Sequence, residues 1–368
     1  MQPTQIPLEL DADALEAPAI TVGLFFGGRS AEHEVSIRSA ATLHAALLDA
    51  GYRVVPIGIE RTGAWRYMPL AGGAFVDRVD AGACAVALAP GRGGQLMACE
   101  PSDSAGELPR IDVAFPALHG PFGEDGCLQG LLETCAVPYV GAGVFGGAAT
   151  MDKEVTKRLL LQAGLPVVPY RVHRRGHAAP TYAHLAERLG PRLFVKPASL
   201  GSSIGANPAH DDASLAFALA AALAPGDKVL IERRIDGREL ECGVIEVRGD
   251  AVASVVGEIA TGAGHPFYDY AAKYLAADGA TLAIPSPLEA ATANRLRELA
   301  REAFHVLGCR DLARVDFFLD AHGQVFVNEV NTLPGFTSIS LFPRLFEASG
   351  MPLREQVKHL VEQALARG

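Results

Sequence analysis

Residues 313–335, ARVDFFLDAHGQVFVNEVNTLPG, constrain this chain more tightly than any other stretch. Two runs that alternate apolar and polar residues flank a short turn at Asp320–Gly323, the pattern of a β-hairpin. Successive strand side chains point to opposite faces, so Arg314 and Asp316 share one face. Glu329 and Asn331 share a face of the partner strand, and Val330 turns away. Oxygen donors and one guanidinium are thereby expected to converge on one patch. Hard divalent cations such as Mg²⁺ take oxygen ligands and leave room for water and phosphate. Carboxylates that hold metal beside a fixed arginine suit phosphoryl transfer. Alternating charge on a hairpin more often marks a solvated face, but Asn331 and the TLPG turn argue for a site.

Composition narrows the setting. The 368 residues imply two or three domains, and 49% hydrophobic against 20% charged residues can bury sizeable cores. The formal charge is −10 and no long basic run occurs, which argues against nucleic acid or an anionic membrane as partner. Six cysteines lie scattered without a CxxC pair, as expected of free thiols in a reducing compartment. The N-terminus, MQPTQIPLELDADALEAP, lacks a signal pattern, and no apolar run approaches the roughly 20 residues that span a bilayer. A cytoplasmic location is expected.

Residues 1–18 read as a flexible tail. An N-terminal α/β domain is expected over 19–150, opening with the strand AITVGLFFGG, the helix SAEHEVSIRSAATLHAALLDAG and the strand YRVVPIGI, an open parallel sheet. Residues 71–110 read as hairpins and loops. A second unit over 151–235 starts with MDKEVTKRLLLQAG, read as one helix, and holds the strands PRLFVKPA and KVLIERRI around a helix over 213–224. A third, 236–368, contains two strands, a helix over 288–307, the hairpin and a C-terminal helix from about 352.

Four further segments bear chemistry. HGPFGEDG places His119 at the C-terminal end of a parallel strand, where ligands of open α/β sheets bind; a capped turn is the equal alternative. KPASLGSSIG sets Lys196 at a strand end before Gly201, Ser202, Ser203 and Gly205, a loop able to cradle phosphate though not in Walker A order. VLIERRIDGREL offers Glu232 and Glu239 around a crossover whose backbone could read a purine edge while a carboxylate binds ribose hydroxyls. FYDYAAKY, 267–274, suits a lid that excludes water, or a local aromatic cluster. Lys153 and Lys157 stand four apart on one helix face, a spacing most often met in surface lysines.

Together VKPASLGSSIG, LIERRIDGRELE and the hairpin resemble the ATP-grasp superfamily of carboxylate–amine ligases. GGRSAEHEVSIRSA, HGPFGEDGCLQGLLE, MDKEVTKRLL, FYDYAAKY and NEVNTLPGFTSISLFP resemble its D-alanine–D-alanine ligase family, from about residue 20 onward. The resemblance implies an N-terminal open parallel α/β domain plus a two-lobed ATP-grasp fold (α/β, α+β overall). It also implies ATP-dependent joining of two D-alanines through a D-alanyl phosphate, for peptidoglycan precursors. Lys153, Lys196 and Ser203 would meet phosphates; Glu232, Arg233 and Ile235 adenine; Glu239 ribose; Phe267 and Lys273 also nucleotide. Asp316, Glu329 and Asn331 would ligate two Mg²⁺ (or Mn²⁺) ions. Glu32 would bind the first D-alanine's ammonium and, with Ser202 and Tyr274, fix the lid, while His119 lies near that substrate. Ser340 and Leu341 would hold the second carboxylate, and Arg314 with the Gly335 N–H the oxyanion. A homodimer is implied by the family. Tyr274 within an intact YDYAAKY favours the dipeptide over D-alanyl-D-lactate. Alternatives are another ATP-grasp ligase and a non-catalytic ATP-binding regulatory module; a dinucleotide-dependent oxidoreductase lacks GxGxxG.

Overall fold

The computed structural model describes residues 20–70, 74–100, 107–261 and 280–368. The chain opens with β1 (Thr21–Gly27), α1 (His33–Asp49), β2 (Arg53–Ile59) and β3 (Trp65–Tyr67). A two-residue pair, β4 (Val86–Ala87) and β5 (Met97–Ala98), then precedes β6 (Val113–Pro116). Strands β2, β1 and β6 are parallel, and β3 closes one edge antiparallel, in the order β3-β2-β1-β6. The apolar run of β1 is buried on both faces, as a central parallel strand requires. Gly27 ends it at φ 89°, where a Cβ would stand 2.4 Å from the Ile59 carbonyl oxygen. Only glycine fits that turn into α1.

Three short helices follow, α2 (Cys127–Thr134), α3 (Val144–Met151) and α4 (Lys153–Gln162). The helix expected over MDKEVTKRLLLQAG is α4, which starts two residues later than that segment. Asp152 takes φ −90°, ψ 100° and accepts hydrogen bonds from the N–H groups of Glu154 and Val155, so Met151 ends one helix and Asp152 caps the next.

A second sheet comprises β7 (Tyr170–Arg174), β8 (Leu193–Pro197), β9 (Asn207–Ala209) and β10 (Lys228–Arg233), in the order β7-β10-β8-β9 and antiparallel throughout. Helices α5 (Tyr182–Leu189) and α6 (Asp212–Leu223) contribute to its core. The third sheet holds β11 (Gly237–Val247), β12 (Asp250–Thr261) and β13 (Ala280–Ala283), then, after α7 (Ala290–Val306), β14 (Leu312–Asp320) and β15 (Val325–Asn331), in the order β13-β12-β11-β14-β15. Helix α7 packs on one face through Leu296, Leu299, Ala303 and Phe304. On the other face Gly243 and Gly257 let α8 (Leu341–Ala348) settle close, since a Cβ there would meet Phe346 at 2.6 Å or Leu345 at 2.8 Å.

The last helix, α9 (Leu353–Arg367), does not stay with the third sheet alone. Val357, Leu360 and Val361 share a core with Leu43 and Leu47 of α1 and with Val113 of β6, so the chain's end returns to its beginning. Among the described residues no helix is long and apolar enough to cross a membrane.

Candidate active site

The hairpin forms as the alternation requires. Asp316 stands directly opposite Glu329, and Arg314 opposite Asn331. The Arg314 guanidinium forks onto Asp316, Nε to Oδ1 and Nη2 to Oδ2 both at 2.7 Å, and lies 3.0 Å from Glu241 on neighbouring β11. Asn331 donates its amide to Asp316 Oδ2 at 3.1 Å. Burial disfavours the charge on Arg314, but Asp316 and Glu241 outweigh it and hold its pKa well above the usual arginine value. Lys153, at the start of α4, reaches Glu329 at 3.4 Å and donates to the Leu200 carbonyl at 2.8 Å.

Alternation fails at one place. The register passes from Asp316↔Glu329 to Phe317↔Val327, leaving Asn328 as the extra residue of a β-bulge. Asn328 accepts a hydrogen bond from Lys196 Nζ at 3.0 Å and lines the same cavity as Glu329.

That cavity, about 500 Å³, lies between the second and third sheets. Lys153, Lys196, Ser203, Glu232, Arg233, Ile235, Glu239, Asp316 and Glu329 all line it. At its wall one carboxylate serves two ammonium groups. Glu232 is 2.9 Å from Lys196 and 2.9 Å from Lys157, and Lys157 is only 1% exposed. Glu232 is over-compensated: burial opposes its charge, yet the two lysines hold its pKa below the usual range. Lys157 is under-compensated, and burial followed by repulsion from Lys196 outweighs Glu232 and lowers it to about 8. The surface reading of Lys157 is therefore wrong. The inward face of α4 consists of Lys153, Thr156, Lys157 and Leu160, and its lysines are buried because Glu232 and Glu329 receive them.

A second cavity, about 90 Å³, adjoins the first; Gly201, Ser202, Glu241 and Glu329 line both. Glu32, His119, Glu124, Arg314, Asn331, Gly335, Ser340 and Leu341 also line it, with Leu333, Pro334, Thr337 and Ile339. Ser202 donates to Glu32 across the gap between the β8–β9 loop and the entrance to α1. Ser202 and Ser203 take φ 52° and 57°, left-handed conformations that are costly for residues with a Cβ and that cluster at functional loops. His119 Nδ1 lies 3.1 Å from the Leu333 carbonyl, which can only accept, so this nitrogen bears the hydrogen. Its Nε2 faces the Ser39 hydroxyl at 3.3 Å, and burial lowers its pKa, so the ring is neutral. Leu341 begins α8 and Ser340 precedes it, accepting from the Thr337 N–H at 3.0 Å.

The structure thus brings together every expected site residue that it describes; Phe267, Lys273 and Tyr274 lie outside the described residues. Sequence reasoning passed over Lys157, Glu124, Asn328 and Glu241. Glu241 had a usable signal, since it stands two residues after Glu239 on one strand and so shares its face. As a donor set, Asp316, Glu329 and Asn331 offer the hard oxygens that Mg²⁺ or Mn²⁺ takes, on opposed strand positions, and so fit such an ion. Among the described residues no group of three or more His, Cys, Asp or Glu side chains is gathered for a metal. Asp316 is instead closed by Arg314 and Asn331.

Two sheets that clamp a lysine-walled cavity, with carboxylates on a hairpin at its floor, define an ATP-grasp ligase fold. Comparison with known proteins specifies it further. A family model described as D-ala D-ala ligase N-terminus matches residues 21–142, and one described as D-ala D-ala ligase C-terminus matches 159–362. D-alanine–D-alanine ligase B of Bradyrhizobium diazoefficiens is 48% identical over 96% of this chain and 95% of its own. The structure of the D-alanine–D-alanine ligase from Coxiella burnetii superposes with a TM-score of 0.84 at 33% identity, covering 95% of both chains. VanG D-Ala:D-Ser ligase from Enterococcus faecalis gives 0.81 at 29% identity, over 94% of this chain and 99% of that one. The chain belongs to the D-alanine–D-alanine ligase family.

Proposed function

We propose that this enzyme joins two D-alanines to D-alanyl-D-alanine at the expense of ATP, through a D-alanyl phosphate, for peptidoglycan precursors. The observation that carries the reading is the Arg314–Asp316–Glu329–Asn331 patch at the junction of the two cavities. The larger suits a nucleotide and the smaller an amino acid.

A carboxylate is a poor electrophile, so the first D-alanine must be activated by phosphoryl transfer before an amine can attack it. Lys153 and Lys196 offset charge on the transferred phosphoryl, and the Ser203 loop covers it. Glu232, Arg233 and Ile235 line the adenine end, and Glu239 takes the ribose. Asp316, Glu329 and Asn331 would hold two Mg²⁺ or Mn²⁺ ions, which when bound neutralise phosphate charge. Glu32 receives the ammonium of the first D-alanine beside His119, with Ser202 and Tyr274 fixing the cover over it. Ser340 and Leu341 at the head of α8 hold the second carboxylate. Arg314 and the Gly335 N–H stabilise the tetrahedral oxyanion. Exclusion of water protects the acyl phosphate from hydrolysis. We place the enzyme in the cytoplasm, as a homodimer, with a division near residues 150 and 235.

The likeness to a D-Ala:D-Ser ligase favours one second reading, a different acceptor for the same activated D-alanine. Phosphate release and product mass, measured with ATP, Mg²⁺ and D-alanine alone or with D-serine or D-lactate, separate the two. D-alanyl-D-alanine from D-alanine alone is expected. No turnover there, with turnover on a mixed pair, rejects the substrate assignment.

A further inference from the structure

The second D-alanine reaches the site as an ammonium ion and has no lone pair to attack with until it loses a proton. We propose that Glu124 is the catalytic base that takes this proton, an inference that rests on the two-step ligation above. Glu124 lies in the loop between β6 and α2 and lines the small cavity together with Arg314, Gly335, Ser340 and Leu341. It is the acid in that wall with capacity to spare. Glu32 receives the Ser202 hydroxyl, Glu241 is held by Arg314, and Glu329 faces Lys153. His119 has both nitrogens engaged. Glu124 accepts the Gly120 N–H at 2.6 Å through Oε2, and among the described residues no cation stands at ion-pair distance from it.

Its surroundings suit the task. Burial, then repulsion from Glu32, raises its pKa to about 8, against the pull of the Gly120 and Leu333 backbone and of Lys153. A carboxylate so perturbed is a far stronger base than an exposed one and competes for an ammonium proton near neutral pH. The charged and titratable groups about it are Glu32 at the entrance to α1, His119 on its own loop, Lys153 on α4 and Arg314 on β14. In the step, an N–H bond of the ammonium breaks and its proton passes to a Glu124 carboxylate oxygen. The freed nitrogen lone pair forms the C–N bond, the acyl C–O bond breaks as phosphate leaves with its electron pair, and the second proton of the now cationic nitrogen passes to that departing phosphate, leaving the amide N–H. Glu124 returns its proton to solvent when products depart.

Glu124→Gln keeps the shape and the acceptor for Gly120 while removing the base. Hydroxylamine, uncharged at neutral pH, can replace the second D-alanine without needing one. The variant should form D-alanyl hydroxamate within about threefold of the wild type, while dipeptide formation falls roughly 10²–10⁴-fold. The wild-type dipeptide rate should climb towards a plateau above pH about 8, and the variant should lose that limb. Undiminished dipeptide formation overturns the proposal, as does a parallel loss of hydroxamate, which would place Glu124 in the first step or in the fold. If the wild type itself yields no hydroxamate, the acyl-phosphate reading fails instead, and this inference with it.

Discussion

Replacing Lys157 by Met tests whether the lysine-walled cavity works as described. Removal of one partner from a buried ion pair commonly costs about 3–5 kcal/mol, because the other charge is stranded. Here Glu232 is not stranded, since Lys196 remains 2.9 Å away. Lys157 also carries a penalty of its own. Its pKa falls from 10.5 to about 8, so at 1.36 kcal/mol per unit the folded state holds the charged form at a cost on the order of 3 kcal/mol. Met fills the site without that cost, and the net change in unfolding free energy at neutral pH should lie within about 1 kcal/mol. The pH dependence has a definite sign. Between about 8 and 10.5 the unfolded chain binds more protons at this lysine than the folded one, so its contribution makes stability rise with pH across that window. Lys157→Met should flatten the rise. Freed from one of its two clamps, Glu232 should hold the nucleotide less well, raising KM for ATP about tenfold with kcat little changed. Urea denaturation across the window and steady-state kinetics read both effects. A loss of more than about 3 kcal/mol at neutral pH, or an unaltered pH slope, refutes the reasoning.

Three further outcomes follow from the site. Arg314→Ala removes the proposed oxyanion donor and the fork on Asp316, so ligation should fall at least about 10²–10³-fold while ATP binding by calorimetry stays within severalfold; persistent ligation contradicts the proposed role. Chelation of divalent cations should abolish phosphate release, and added Mg²⁺ or Mn²⁺ should restore it, while turnover in chelator would remove the metal from the scheme. Asp311, fully buried, is held by Arg367 and accepts the Gly141 N–H at 2.7 Å, joining α9 and β14 to the chain before α3. Asp311→Ala leaves the Gly141 N–H without its acceptor, while part-exposed Arg367 keeps the Tyr139 carbonyl, so the cost in a denaturant titration should be about 1–3 kcal/mol; a loss under about 0.5 kcal/mol would show the junction is dispensable.

What the sequence disclosed tracks the periodicities it carries. Arg314, Asp316, Glu329 and Asn331 were legible because strand alternation has a fixed period of two and the turn between the strands fixes their register. Asn328 was not, because a bulge resets the alternation and leaves no mark in VFVNEVN. The pattern of α9 shows that one face is buried but not what covers it, and Leu43 and Val113 lie more than two hundred residues away in sequence. Lys157 is the instructive failure. Positions 153, 156, 157 and 160 follow the i, i+3, i+4, i+7 spacing of an inward stripe, a pattern hidden because three of the four are polar. Polar residues at core spacing are costly unless something on the far side receives them. A stripe of lysines at that spacing therefore implies buried acids opposite, and Glu232 and Glu329 supply them from two different sheets. Read in that direction, the helix locates the cleft between the sheets as well as the cations that line it.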